Sequence, residues 1–192
     1  MLIPGDIRYK DIGGPKGVPD GIIDGLDRVL LNKRDSPSTY YGFGAAIRYK
    51  MLDFSAQFQG VVGRTIDIQP FINTGPFSFN GESLNRWTPQ TAATALYPRV
   101  GIADRNHNTV ASDFWLRNAD YLKLKTVELG LSLPPSLTQK FRLQSVRVFV
   151  GAFNPITFTR LALDVDPELP RAGRIDAYPY LKTWTAGLSA RF

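Results

Sequence analysis

Apolar and polar residues alternate with period 2 in five separate stretches of this chain. From 41 to 49, Tyr41, Phe43, Ala45, Ile47 and Tyr49 share one side, and Gly42, Gly44, Ala46 and Arg48 the other. Successive side chains of an extended strand point to opposite faces, so the stretch reads as a strand with one apolar face. The link Lys50-Met51-Leu52-Asp53 then leads to Phe54, Ala56, Phe58, Gly60 and Val62, set against Ser55, Gln57, Gln59 and Gly63. Two such runs joined by a short link predict a hairpin over 38–64. A third strand is predicted between Tyr121 and Leu133, but its phase slips. Leu122 and Leu124 have one parity; Val127, Leu129, Leu131 and Leu133 have the other. A bulge near Lys125 reconciles the two halves, as does an outer half that projects beyond a membrane. Pro134-Pro135 ends the strand, because proline cannot donate to a ladder. The fourth run sets Val146, Val148, Val150 and Ala152 against Arg147, Phe149 and Gly151. The fifth sets Trp184, Ala186, Leu188, Ala190 and Phe192 against Thr183, Thr185, Gly187, Ser189 and Arg191, and continues to the last residue.

The connections alternate in length. Residues 50–53 and 135–143 are short, whereas 1–37, 65–118 and 158–181 are long and rich in Gly, Pro and polar residues. An irregular stretch of this size is far above the usual loop length in a compact soluble domain. Membrane β-barrels are the exception, with long outer loops and short inner turns. If the chain ends on the inner side, every long segment falls outside and every short one inside. The expected fold is therefore all-β: about five antiparallel strands from the C-terminal part of a large transmembrane β-barrel. The expected organisation is an extracellular loop over 1–37, a hairpin over 38–64 and an extracellular loop over 65–118. A hairpin over 119–157, an extracellular loop over 158–181 and a closing strand over 182–192 follow. About eight strands is the smallest practical barrel, so five would leave two open edges and a bare lipid-facing surface.

Composition narrows the function classes. Charged residues make up 21% and hydrophobic residues 43% of the 192, so the chain is not of disordered type. It has no cysteine, which removes disulfides, thiolate zinc sites and a cysteine nucleophile. The one histidine, His107, lies among polar residues and reads as an exposed loop side chain. The net charge of +6 is scattered without a basic cluster, which speaks against nucleic acid and fits loops facing a phosphorylated lipid surface. No apolar run approaches the roughly 20 residues of a membrane helix. The start, Met1-Leu2-Ile3-Pro4, lacks the basic and apolar regions of a signal peptide, and the expectation is that an N-terminal part is missing.

Several segments carry a family resemblance. They are Pro4-Gly-Asp-Ile-Arg-Tyr-Lys-Asp11, Tyr41-Gly-Phe43, Phe54-Ser-Ala-Gln-Phe-Gln-Gly60, Arg86-Trp-Thr-Pro89 and Tyr97-Pro-Arg99. Further on come Ser112-Asp-Phe-Trp-Leu-Arg-Asn-Ala-Asp-Tyr-Leu-Lys-Leu-Lys125, Asn154-Pro-Ile-Thr-Phe158, Asp166-Pro-Glu168 and Tyr178-Pro179. In this order they resemble the C-terminal portion of SusC/RagA-type TonB-dependent outer-membrane transporters of the Bacteroidetes. The resemblance implies a plugged barrel of about 22 strands in the cell outer membrane, engaged in active uptake of a nutrient, an oligosaccharide or a peptide. It implies a SusD-like lipoprotein lid as partner, and a TonB complex that supplies energy through an N-terminal part, plug included, absent from this chain. It further implies that Trp184, Leu188 and Phe192 belong to the C-terminal signal read by the barrel-assembly machinery; the plain alternative is a lipid-facing terminal aromatic.

Candidate sites are few. Asp11, Asp20, Asp24 and Asp27 occupy the place where family members carry an Asp/Gly-rich loop resembling a calcium loop. Calcium takes several oxygen ligands from closely spaced carboxylates. An insertion holding Pro15, Lys16 and Pro19 breaks that spacing, and the alternative is a solvated Asx/Gly turn. No other cofactor is expected. Trp87, Trp115, Phe77 and Phe79 offer rings that could stack on a sugar, or pack the loops together. Tyr41, Tyr49 and Trp184 fit interfacial belts. Asp164, Asp166 and Glu168 alternate, but nothing sets a second carboxylate at the distance glycoside hydrolysis needs, so no enzyme is expected. The competing reading is a self-contained soluble β-protein that binds a carbohydrate or a protein partner.

Overall fold

The structure, a computed structural model, describes residues 2–72, 81–100, 107–163, 165–168 and 180–192. Its strands are β1 (Thr39–Tyr49), β2 (Leu52–Val62), β3 (Thr65–Asp67), β4 (Leu116–Asn118), β5 (Tyr121–Ser132), β6 (Ser145–Thr159) and β7 (Thr183–Arg191). The main sheet has the order β1-β2-β5-β6-β7, and each strand runs antiparallel to its neighbour. The five expected strands are these five. β3 and β4 pair with each other in a separate two-stranded sheet inside the stretch expected to be one irregular loop. Three-residue strands carry too little period to be read from sequence.

The first hairpin is tighter than its sequence implied. Tyr49 pairs with Leu52, so the turn is Lys50-Met51 alone and Leu52 and Asp53 belong to β2. Two-residue hairpin turns need positive φ at the first central residue, and Lys50 adopts φ 54. The second short connection holds a one-turn helix, α2 (Pro135–Thr138), and a 3₁₀ turn closed by Arg142 at φ 57.

The phase slip in β5 is a bulge at Lys125. Against β2 the register jumps from Gln57↔Thr126 to Phe58↔Leu124. Against β6 it jumps from Thr126↔Phe153 to Leu124↔Ile156, which leaves Asn154 and Pro155 outside the ladder as well. Pro155 is tolerated there because no ladder donor is needed at a bulge. Asn154 takes φ 49, a left-handed conformation that asparagine enters at low cost.

The register generates two chemically different faces. On one lie the rows Tyr49/Leu52/Leu131/Val148/Leu188, Ile47/Phe54/Leu129/Val150/Ala186 and Ala45/Ala56/Val127/Ala152/Trp184. Beyond the bulge the same face continues as Phe43/Phe58/Leu124/Ile156 and Tyr41/Gly60/Leu122/Phe158. The extra residue at Lys125 thus returns Leu122 and Leu124 to the apolar side. The other face carries Arg48, Asp53, Ser55, Gln57, Thr126, Glu128, Arg147, Thr185 and Ser189.

The chain divides into two compact units. One contains the main sheet and comprises Arg34–Ile66, Asn118–Pro170 and the C-terminal strand. The other comprises mainly Met1–Lys33 and Asp67–Arg117, stretches expected to be loops. It has short helical turns, α1 (Gln69–Ile72) among them, and buries Ile68, Ile72, Tyr97 and Trp115.

Candidate functional site

The apolar face of the sheet is uncovered. Trp184 is 76% exposed, Leu188 66%, Ile47 62% and Tyr49 67%; Phe54, Leu129, Leu131, Val148 and Val150 exceed one third. Fully burying a large apolar side chain is worth about 1.5–3 kcal/mol. Nine such side chains left half in water therefore forgo on the order of 10 kcal/mol, as much as the whole stability of an ordinary domain. This face requires an apolar cover. Aromatics gather at its two ends: Tyr41, Phe43, Phe58 and Phe158 beyond the bulge, and Tyr49 beside the first turn. Phe43 and Phe58 stack at 4.9 Å between ring centroids. The strands hold 9 to 15 residues, enough for the 9–11 that span a bilayer as a tilted β-strand.

The opposite face is ionic. Arg147 on β6 crosses β5 to Asp53 on β2, with Nε 3.0 Å from Asp53 Oδ1 and Nη2 on Asp53 Oδ2 and 2.6 Å from Glu128 Oε1. The guanidinium lies over Gly130, where a Cβ would stand 2.5 Å from Arg147 Nε. The three side chains are 30–40% exposed, so water still reaches them.

Farther along the same face, Lys123 is completely buried. Its Nζ lies 2.7 and 2.8 Å from the two Asp166 carboxylate oxygens and 2.9 Å from Glu168 Oε2. Lys125 Nζ meets both Glu168 oxygens at 3.1 and 3.0 Å, and the Tyr121 hydroxyl donates to Glu168 Oε1 at 3.0 Å. Burial pushes the Glu168 carboxyl up, but hydrogen bonds from Lys123 and Lys125 outweigh it and hold it below the usual carboxylate range. The lone carboxylate alternation of Asp166 and Glu168 is thus answered by lysines.

In the other unit, residues distant in sequence are knitted by buried polar bonds. Asp6 Oδ1 forms a 2.6 Å ion pair with Arg99 and accepts from Asn108 Nδ2 at 3.0 Å. Asn108 accepts the Ile7 amide at 2.8 Å, and its carbonyl accepts the Trp115 indole N–H at 3.1 Å. His107 is not an exposed loop side chain. Its Nε2 lies 2.9 Å from the Ile7 carbonyl, and its ring meets Tyr9 edge-on.

The structure does not gather the four aspartates into a cation cage. Asp27 accepts the amides of Ile12, Gly13 and Asp24 at 2.7, 3.0 and 2.8 Å. Asp24 accepts from Leu26, Asp20 from Ile22 and Asp11 from Gly21. These amides, that of Asp24 first, hold the Asp27 carboxyl below its ordinary range, and Asp11 adjoins it. Among the described residues no three acidic or histidine side chains are grouped to hold a metal ion. Both Asp27 oxygens and one oxygen each of Asp11, Asp20 and Asp24 accept backbone amides, as in an Asx/Gly turn.

The aromatic candidates separate. Trp115 is 1% exposed, so no ring face is open to a ligand and its place is in the core. Trp87 packs on Gly5, where a Cβ would lie 2.5 Å from the indole. Phe77 and Phe79 lie outside the described residues, as do Asp164, Tyr178 and Pro179. Trp184 and Leu188 lie on the uncovered apolar face, and Phe192, 85% exposed, follows β7. The pairing of Lys123 and Lys125 with Asp166 and Glu168 went unread in the sequence. Its one signal was two lysines in a strand and two acids around a proline.

Comparison with known proteins was consistent with this geometry. No family model matches the chain. It is 28% identical to TonB-dependent receptor P26 of Formosa agariphila, over 99% of this chain and 20% of that protein. It is 27% identical to TonB-dependent receptor P3 of the same organism, over 98% of this chain and 19% of that protein. For TonB-dependent receptor SusC of Bacteroides thetaiotaomicron the identity is 25%, over 90% and 17%. Among solved structures, the RagAB peptide importer in its open-open state aligns with TM-score 0.66 and 25% identity, over 94% of this chain and 20% of that chain. Its closed-closed state aligns with TM-score 0.68 and 24% identity. The chain spans about a fifth of the length of the curated relatives it matches.

Proposed function

We propose that this chain, of the SusC/RagA type of TonB-dependent receptor in sequence and fold, supplies five strands to the wall of an outer-membrane transporter. The transporter imports a nutrient, an oligosaccharide or a peptide. The observation that carries this reading is the apolar face that runs across five strands with its large side chains exposed among the described residues. In a barrel wall that face meets lipid and the ionic face meets the lumen. The long connections then belong on the outer side, where a SusD-like lipoprotein would cap the barrel. A TonB complex would drive import through other parts of the longer protein. The chain's own role is structural and positioning rather than enzymatic.

Site-directed spin labels test the assignment of faces in the complete protein in lipid. Labels at Ile47, Leu129 and Leu188 should collide with oxygen dissolved in the bilayer. Labels at Ser55, Thr126 and Thr185 should collide with a water-soluble nickel chelate. Equal water access on both faces would remove the barrel reading and favour a soluble β-protein. Uptake of labelled oligosaccharides and peptides by cells carrying the gene would separate the two substrate classes.

A further inference from the structure

The lysine–carboxylate cluster does more than neutralise charge. We propose that Lys123 and Lys125 anchor both ends of the β6–β7 connection and thereby fix where β7 enters the sheet. The outgoing end is held by Asp166 and Glu168. The three donors of the Lys123 ammonium meet three carboxylate oxygens at 2.7–2.9 Å. The Glu168 amide donates to Asp166 Oδ1 at 2.9 Å, so the two acids around Pro167 are themselves braced. Arg64 donates to the Pro167 carbonyl. The returning end is held by Tyr180, whose ring centroid lies 5.1 Å from Lys123 Nζ and 5.5 Å from Lys125 Nζ. Thr183, the first residue of β7, follows three positions later.

The described ladder stops short of this entry. β7 pairs with β6 only between Ser145 and Phe153. Residues 154–159 of β6 run on without a β7 partner, and the bulge interrupts β5–β6 at the same height. A one-residue slip of β7 would exchange Trp184 and Leu188 for Thr185 and Ser189 on the apolar face. Pinning both ends of the connection to one pair of lysines fixes the register at the end where hydrogen bonds stop. The bulge contributes directly, because the extra residue places a second lysine within reach of Glu168.

Hydrogen–deuterium exchange tests this on the complete protein purified in detergent, with Lys123→Met and the milder Glu168→Gln. Amides of Trp184–Leu188 should exchange about tenfold faster or more, since removing one partner of a buried ion pair commonly costs more than one factor of ten. Amides of the β1–β2 hairpin should not change. A disulfide readout follows: these 192 residues contain no cysteine, and any cysteine elsewhere in the longer protein is first replaced by serine. Val150→Cys should cross-link to Ala186→Cys in the parent, and partly to Gly187→Cys once Glu168→Gln is added. Unchanged β7 exchange together with exclusive Val150–Ala186 cross-linking in Glu168→Gln would overturn the proposal. The anchor lies inside the unit that contains the sheet. Loss of the lipid-facing label pattern would therefore defeat the barrel reading while leaving this exchange result to stand or fall separately.

Discussion

Replacing Gly60 by alanine should be the most damaging single-methyl change in the sheet. Gly60 lies between Tyr41 of β1 and Leu122 of β5. The Tyr41 ring crosses it, and the Tyr41 hydroxyl donates to the Tyr121 carbonyl at 3.4 Å. An added Cβ would stand 2.6 Å from that carbonyl oxygen and overlap the ring. The carbonyl belongs to a central strand, and the ring cannot move without losing its hydrogen bond. Overpacking of this kind costs about 1–3 kcal/mol, and the lost bond about 1 kcal/mol more. Alanine recovers about 0.4–1 kcal/mol by restricting the unfolded chain. The net expectation is a loss of about 2 kcal/mol, roughly thirtyfold in the folding constant. Gly130→Ala is the control. Its Cβ would first meet the flexible end of the part-exposed Arg147 side chain, which can shift, so the cost should be smaller than at Gly60. Urea unfolding in lipid vesicles, followed by tryptophan fluorescence, reads both as midpoint shifts at constant slope. A Gly60→Ala midpoint equal to the parent's, or a larger loss for Gly130→Ala, would refute the reasoning.

Other expectations concern charge and assembly. Arg147→Ala should destabilise slightly at low salt and by less in high salt, because its partners are part-exposed and screened; urea midpoints at two ionic strengths check this. The folded pKa of Asp27 lies below its ordinary value, so its support of the 11–27 turn is present above about pH 4 and is lost as pH falls through the folded value. Amide exchange at Ile12 and Gly13, corrected for intrinsic rate, should therefore quicken on acidification, and Asp27→Asn should show the loss already at neutral pH. Millimolar calcium should leave proteolysis of the same turn unchanged; protection would place a cation between Asp11 and Asp27. Deleting Phe192, or converting Trp184 and Leu188 to serine, should reduce the heat-modifiable, membrane-inserted fraction while synthesis continues, as gel mobility without boiling would show.

What the sequence disclosed follows from what local pattern can encode. The five long strands were legible because each repeats its apolar residues at period 2 over seven or more positions. The bulge was legible because one strand changed parity between Leu124 and Val127. β3 and β4 were not, since three residues establish no period. Nor was the compactness of the second unit. It rests on bonds such as Asp6–Asn108 and Tyr9–His107, about a hundred positions apart, and pattern reading does not reach that far. The candidate site divides in the same way. Trp184 and Leu188 were placed by phase. The burial of Trp115 depends on an indole hydrogen bond to Asn108, and the partners of Lys123 lie 43 and 45 positions away.

The bulge at Lys125 has an evolutionary consequence. A continuous strand transmits every insertion along its length, because one added residue inverts all that follow. A strand interrupted by an unpaired residue behaves as two segments with separately set phase. Substitutions and small length changes beyond Lys125, towards the long connections, can accumulate without turning Val127, Leu129 and Leu131 inside out. The two halves of β5 can then vary separately, one answering to the apolar face of the sheet and the other to the connections it joins.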